Sequence, residues 1–130
     1  MKYQLYNNNG TLGVHVLSDE SQAQDITPSK IIDVWPVLMG FFAAYEFDEE
    51  TGYVVNFDKA KEIQRNRWRV AREKLWPPLD AEYFKALESD DTQTQQSVAA
   101  QKQILREVTD TAMPDDIEAI AATWPEVLPR

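Results

Sequence analysis

The chain has 130 residues, 43% hydrophobic and 27% charged, the size and composition of one globular unit or of two small lobes sharing a core. It carries no cysteine and one histidine, His15, which excludes disulfides, thiolate chemistry and any site built from several imidazoles. The formal charge of −9 disfavours nucleic acid and anionic membrane as partners.

That charge is unevenly placed. Residues 1–58 carry two Lys/Arg against nine Asp/Glu, residues 59–74 carry seven against two, and residues 75–130 carry four against eleven. A short basic segment therefore sits between two acidic ones. It either packs against acidic neighbours of its own chain or offers a cationic face to a partner. Met1-Lys2-Tyr3-Gln4 runs into Asn7-Asn8-Asn9-Gly10 without the apolar run of a signal peptide. The longest apolar stretch, Val34 to Tyr45, falls short of the ~20 residues that span a bilayer. Synthesis in the cytoplasm is the expectation.

In chain order, Tyr3 and Leu5, then Leu12, Val14 and Val16, alternate with polar residues or glycine at the strand period. Asn and Gly between them tolerate positive φ, so 2–7 and 11–17 read as a hairpin. Residues 18–27 form a polar connection. Thr27-Pro28-Ser29 has the form of a helix start, with Ile31, Ile32, Val34 and Trp35 on its apolar side and Pro36 as its limit. A short helical turn near 28–34, followed by irregular chain, is expected. Phe41–Phe47 and Tyr53–Phe57 flank Asp48-Glu49-Glu50-Thr51-Gly52 and read as a second hairpin. Its acidic turn lacks the alternating oxygen ligands and distal Glu of a calcium loop.

Helix follows from Asp58, read as the N-cap, to about Leu75. Ala60, Ile63, Trp68, Val70, Ala71 and Leu75 form its apolar side, and Lys61, Arg65, Arg69 and Arg72 form a stripe opposite. Arg67 and Lys74 project within the apolar arc, where their stems cover apolar surface or their heads meet carboxylates. Trp76-Pro77-Pro78 reads as the end of this helix, and Asp80 as the cap of a short one at 81–88. Asp90-Asp91-Thr92 opens a third helix reaching about Val108. Asp115 with Glu118 resembles a capping box before Ile117, Ile120, Ala121 and Trp124, the cleanest helical stripe in the chain, which Pro125 closes. The fold class expected is α+β: N-terminal β-hairpins in a lobe at 1–57, packed with a C-terminal bundle of three to four helices at 58–130.

Catalytic signatures are missing. There is no nucleophile elbow, phosphate loop or His-x-x-x-His pair, and four glycines are too few for a phosphate cradle. His15 alternates with Val14 and Val16 in a strand and reads as solvated or edge-facing. The adjacent carboxylates Asp90/Asp91 and Asp115/Asp116 sit at helix starts, where capping accounts for them. No enzyme, metal or cofactor is expected. Trp68, Trp76, Trp124, Tyr83 and Phe84 fall on helical apolar positions and read as core. Trp35, Phe41 and Phe42 lie in the apolar stretch 34–45, the best candidate for an exposed binding surface.

The run Ile63-Gln64-Arg65-Asn66-Arg67-Trp68-Arg69-Val70-Ala71-Arg72 is followed by Leu75, by Leu79-Asp80 and by Tyr83. Further on come Ala99-Ala100-Gln101-Lys102-Gln103-Ile104-Leu105-Arg106-Glu107-Val108-Thr109 and Trp124-Pro125. In order and spacing these four landmarks, over about residues 58–130, resemble a module of tailed-phage tail and tail-fibre assembly chaperones. The sequence departs from the commoner form of that pattern at Glu107, where Asp often follows Leu-Arg. The resemblance implies a non-enzymatic protein that binds a phage tail or tail-fibre protein, acts in the host cytoplasm during assembly, and has the virion tail as its other possible location. A structural subunit of the tail, baseplate or fibre attachment is the alternative, and an acidic inhibitor of a host factor is a second. Partner contacts are expected at Lys61, Arg65, Arg69 and Arg72 and at Trp35, Phe41 and Phe42, with a homo-oligomer also open and no nucleic-acid or membrane partner.

Overall fold

A computed structural model describes residues 1–130. The N-terminal half is antiparallel β. Strands β1 (Lys2–Asn8) and β2 (Thr11–Leu17) pair in the register Leu5 opposite Val14. Asn9 and Gly10, at φ 52 and 88, supply the two positive φ values of their tight turn. The edge strand β3 (Ser29–Ile32) pairs with the other side of β1, giving the order β2-β1-β3. This corrects the expected helical turn at 28–34. Tyr3 lies opposite Ile32 and Gln4 opposite Ile31, so a partner distant in sequence decides the conformation of an apolar pair that is locally ambiguous. Strands β4 (Tyr45–Asp48) and β5 (Gly52–Val55) form a separate hairpin laid against the first sheet. Gly52 makes the close approach: at φ 96, a Cβ there would sit 2.9 Å from Leu5 Cδ1. Phe42–Ala44 is a single 3₁₀ turn rather than the start of a strand.

The polar connection between β2 and β3 is tied down by one buried side chain. Gln4 donates from Nε2 to the carbonyl of Gln24 at 2.8 Å and accepts at Oε1 from the Gln24 N–H at 2.7 Å. Its amide is thereby satisfied inside the sheet, as burial requires.

Four helices follow. Helix α1 (Phe57–Glu73) is capped by Asn56, whose Oδ1 accepts from the Lys59 N–H at 3.2 Å, so the cap lies two residues before the expected Asp58. Its buried positions are Ala60, Gln64, Trp68 and Ala71, while Val70 is two-thirds exposed and lies off that face. Helix α2 (Trp76–Glu88) begins at once, with the Trp76-Pro77-Pro78 run inside its first turn. Proline fits there because the first-turn N–H groups have no intrahelical acceptor, so the pair starts a helix as readily as it ends one. Asp80 is therefore not a cap, and its Oδ1 meets Lys102 Nζ at 2.5 Å instead. Helix α3 (Thr92–Glu107) is capped by Asp91, which accepts from the Thr94 N–H, and returns antiparallel along α2. Helix α4 (Ile117–Ala122) has only six residues, and its cap is Asp116 rather than Asp115.

A helix of that length does not hold itself in water. Helix α1 completes it. Gln64 Nε2 donates to the carbonyls of Ala121 at 3.3 Å and Thr123 at 2.9 Å, and Trp68 Nε1 donates to Thr123 at 3.2 Å. Both side chains are buried, so the last carbonyls of α4 are satisfied from across the core. The terminal segment folds back, with Trp124 Nε1 donating to the Leu128 carbonyl. One apolar cluster runs from Leu5 and Leu12 through Phe41 and Tyr45 to Trp68, Leu105 and Ile120. The composition change near residue 58 therefore marks the switch from strand to helix, while the hydrophobic core crosses it. No helix is long and apolar enough to cross a membrane.

Candidate partner-binding site

The sequence points to two surfaces, the cationic stripe of α1 and the 34–45 segment. The stripe is not an open row of charge. Lys61 Nζ meets Asp115 Oδ1 at 2.6 Å, with only 18% of its side chain exposed. Arg69 Nη1 lies 2.5 Å from both Glu62 Oε1 and Asn66 Oδ1, and Arg65 adds a longer contact to Glu62 at 3.7 Å. The hydrogen bond from Arg69, joined by the charges of both arginines, holds the Glu62 carboxyl below the ordinary range. Arg72 Nη1 donates to the Leu105 carbonyl at 3.2 Å, and its Nε is buried without a partner. The four cations are half-buried and engaged within the chain, three by its own acids and one by a carbonyl.

The 34–45 segment divides by position. Val37, Phe41, Ala44 and Tyr45 are buried, whereas Val34, Trp35, Met39 and Phe42 are exposed by 74, 48, 93 and 41%. Phe41 is thus a core residue, which corrects its assignment to an exposed surface. Its ring is covered by the Arg67 guanidinium, 4.4 Å from the centroid. The same arginine donates to the Gly40 carbonyl at 2.8 Å, and Gly40 holds φ +86 where a Cβ would collide with Arg67 Nη2. Leu38 N–H donates to Tyr45 Oη at 2.9 Å. Pinned at these points, the segment turns four large apolar side chains outward.

Beneath the segment lies a cleft of about 390 Å³, closed on the far side by β4, β5 and the start of α4. Its walls include Trp35, Leu38, Tyr45, Tyr53, Ile117 and Glu118. The Tyr45 and Tyr53 rings are 5.7 Å apart, and Tyr3 meets the Trp35 ring edge-on at 5.4 Å. Sequence reasoning found Trp35 but not the two tyrosines, which read as ordinary strand residues, nor Glu118. Glu118 reads as the reciprocal partner in a capping box. The cap is one residue later than that reading, at Asp116, and the Glu118 carboxylate makes no hydrogen bond or ion pair. A second groove, also about 390 Å³, lies between Leu75, Pro78 and Leu79, Ile104 and Leu105, and Val127. Three segments far apart in sequence build it, so no local pattern announces it.

His15 packs against Tyr6, ring centroids 4.8 Å apart, with Nδ1 buried and unpartnered. No three His, Asp or Glu side chains converge in a geometry that would hold a metal ion. No family model, curated protein or solved structure matches the chain.

Proposed function

We propose that this chain is a non-enzymatic bacteriophage tail protein that holds a fibre or other tail polypeptide during assembly. The four sequence landmarks that resemble those of tail-fibre assembly chaperones support the reading, and all fall on the helical half. One observation carries it: Val34, Trp35, Met39 and Phe42 stand exposed within nine consecutive residues that are otherwise pinned to the core. Apolar surface held outward in this way suits a protein that covers sticky segments of another chain until they assemble.

The α1 cations belong to the body of the protein in this reading, because each is held by a group of its own chain. The test is co-expression with the neighbouring fibre or tail polypeptide followed by capture. The double variant Trp35→Ala/Phe42→Ser is expected to bind at least ~10-fold more weakly, as loss of interface anchors does, with its far-UV circular dichroism unchanged. Undiminished capture by a folded double variant would remove this surface from the interaction. Finding the chain in purified virions would favour a retained tail subunit over a released chaperone.

A further inference from the structure

We propose that the cleft beneath the 34–45 segment receives an arginine or lysine side chain from a basic segment of the partner polypeptide. The inference rests on the preceding one only for who the partner is. Its ground is the chemistry of the lining. Glu118, the one carboxylate in the cleft wall, has no counter-ion.

Cations already sit on three aromatic rings of this molecule. Elsewhere in the molecule Phe41 carries Arg67, Tyr83 carries Lys102 at 5.3 Å, and Trp76 carries Arg106 at 5.9 Å. Trp35, half-exposed, lines the same cleft as Glu118 and carries no cation, with the Tyr3 ring set against it at 72°. A cationic side chain entering the cleft would find an aromatic face and a carboxylate together, and the two attractions add. A purely apolar occupant would instead bury Glu118 unpaired, which is costly. The net charge of −9 further favours a basic segment at encounter.

The full-length protein, labelled for NMR, is titrated with a hexapeptide alternating Arg and Gly, with its Lys counterpart, and with a control carrying Gln at the cationic positions. The indole N–H of Trp35 and the Tyr53 ring report the cleft. Saturable shifts at both are expected with the cationic peptides. The Gln control and the Glu118→Gln variant are each expected to bind ~3-fold or more weakly, the scale of one exposed cation–π or ion-pair contact. Glu118→Gln breaks no internal bond, so it leaves the fold intact. Phe42→Ser lies outside the cleft and is expected to bind the peptides normally, even where it impairs capture of the tail polypeptide. Equal binding of the neutral control, an unaffected Glu118→Gln variant, or shifts absent from Trp35 and Tyr53 would overturn the proposal.

Discussion

Asn56 does three jobs with one short side chain. It caps α1 through Oδ1, donates from Nδ2 to Glu46 at 3.1 Å, and stands where β5 turns into helix. Asp58, two residues on, lies in the first turn and is exposed. Asn56→Ala is therefore expected to lower stability by about 1 kcal/mol, the usual cost of losing a cap. Asp58→Ala is expected to cost less than half as much, since it loses only a screened interaction with the helix dipole. Urea melts of the two variants decide it, and the reverse order would restore Asp58 as the cap. Read from sequence alone, the cap falls at Asp58 and Asn56 is passed over. What selected Asn56 is tertiary: Glu46 on the neighbouring hairpin holds its amide, and that pairing has no local signature.

At the scale of elements, the long amphipathic helices and the first hairpin were legible because their periodicity and turn residues are local. Several readings failed for related reasons. Strand β3 depends on β1, the double proline fits a first turn as well as a last one, and the cap of α4 fell one residue late. The cleft was legible only at Trp35, because its remaining wall comes from three separate elements. Helix α4 shows the same dependence energetically. Gln64→Leu keeps the volume but removes the donor that serves Ala121 and Thr123. It is expected to cost about 1–3 kcal/mol, the penalty for leaving buried acceptors unpaired, and to quicken amide exchange in 117–122 ahead of the rest. A variant as stable as the parent would mean that α4 closes its own carbonyls.

For the whole molecule, acid stability follows from the carboxylates that the fold holds below their ordinary range. Glu46 is held there by Asn56 and then Lys59, Glu62 by Arg69, and Asp91 by its Thr94 cap bonds. Each binds a proton more readily in the unfolded chain than in the folded one. Their contribution is therefore complete above the unfolded values and disappears as pH falls through the lower folded ones. The urea midpoint is expected to be flat near neutrality and to drop below about pH 4, where ordinary carboxylates protonate. Glu46→Gln should make that drop shallower, and an unchanged slope would assign the acid sensitivity to other groups. The loss is expected to be global, because one core joins the sheets to the helices and neither half has a separate interior to fall back on.

The contact between Gly40 and Arg67 couples a backbone turn to a distant side chain. The arginine reaches the carbonyl of residue 40 only because that residue lacks a Cβ, and it shields Phe41 only from that position. A side chain at residue 40 would strain a backbone held at φ +86 and displace the guanidinium from its carbonyl, loosening the brace under the apolar loop. A change at residue 40 is thus felt at Arg67 and at the Phe41 ring beneath it, although 26 residues separate 40 from 67 in the chain.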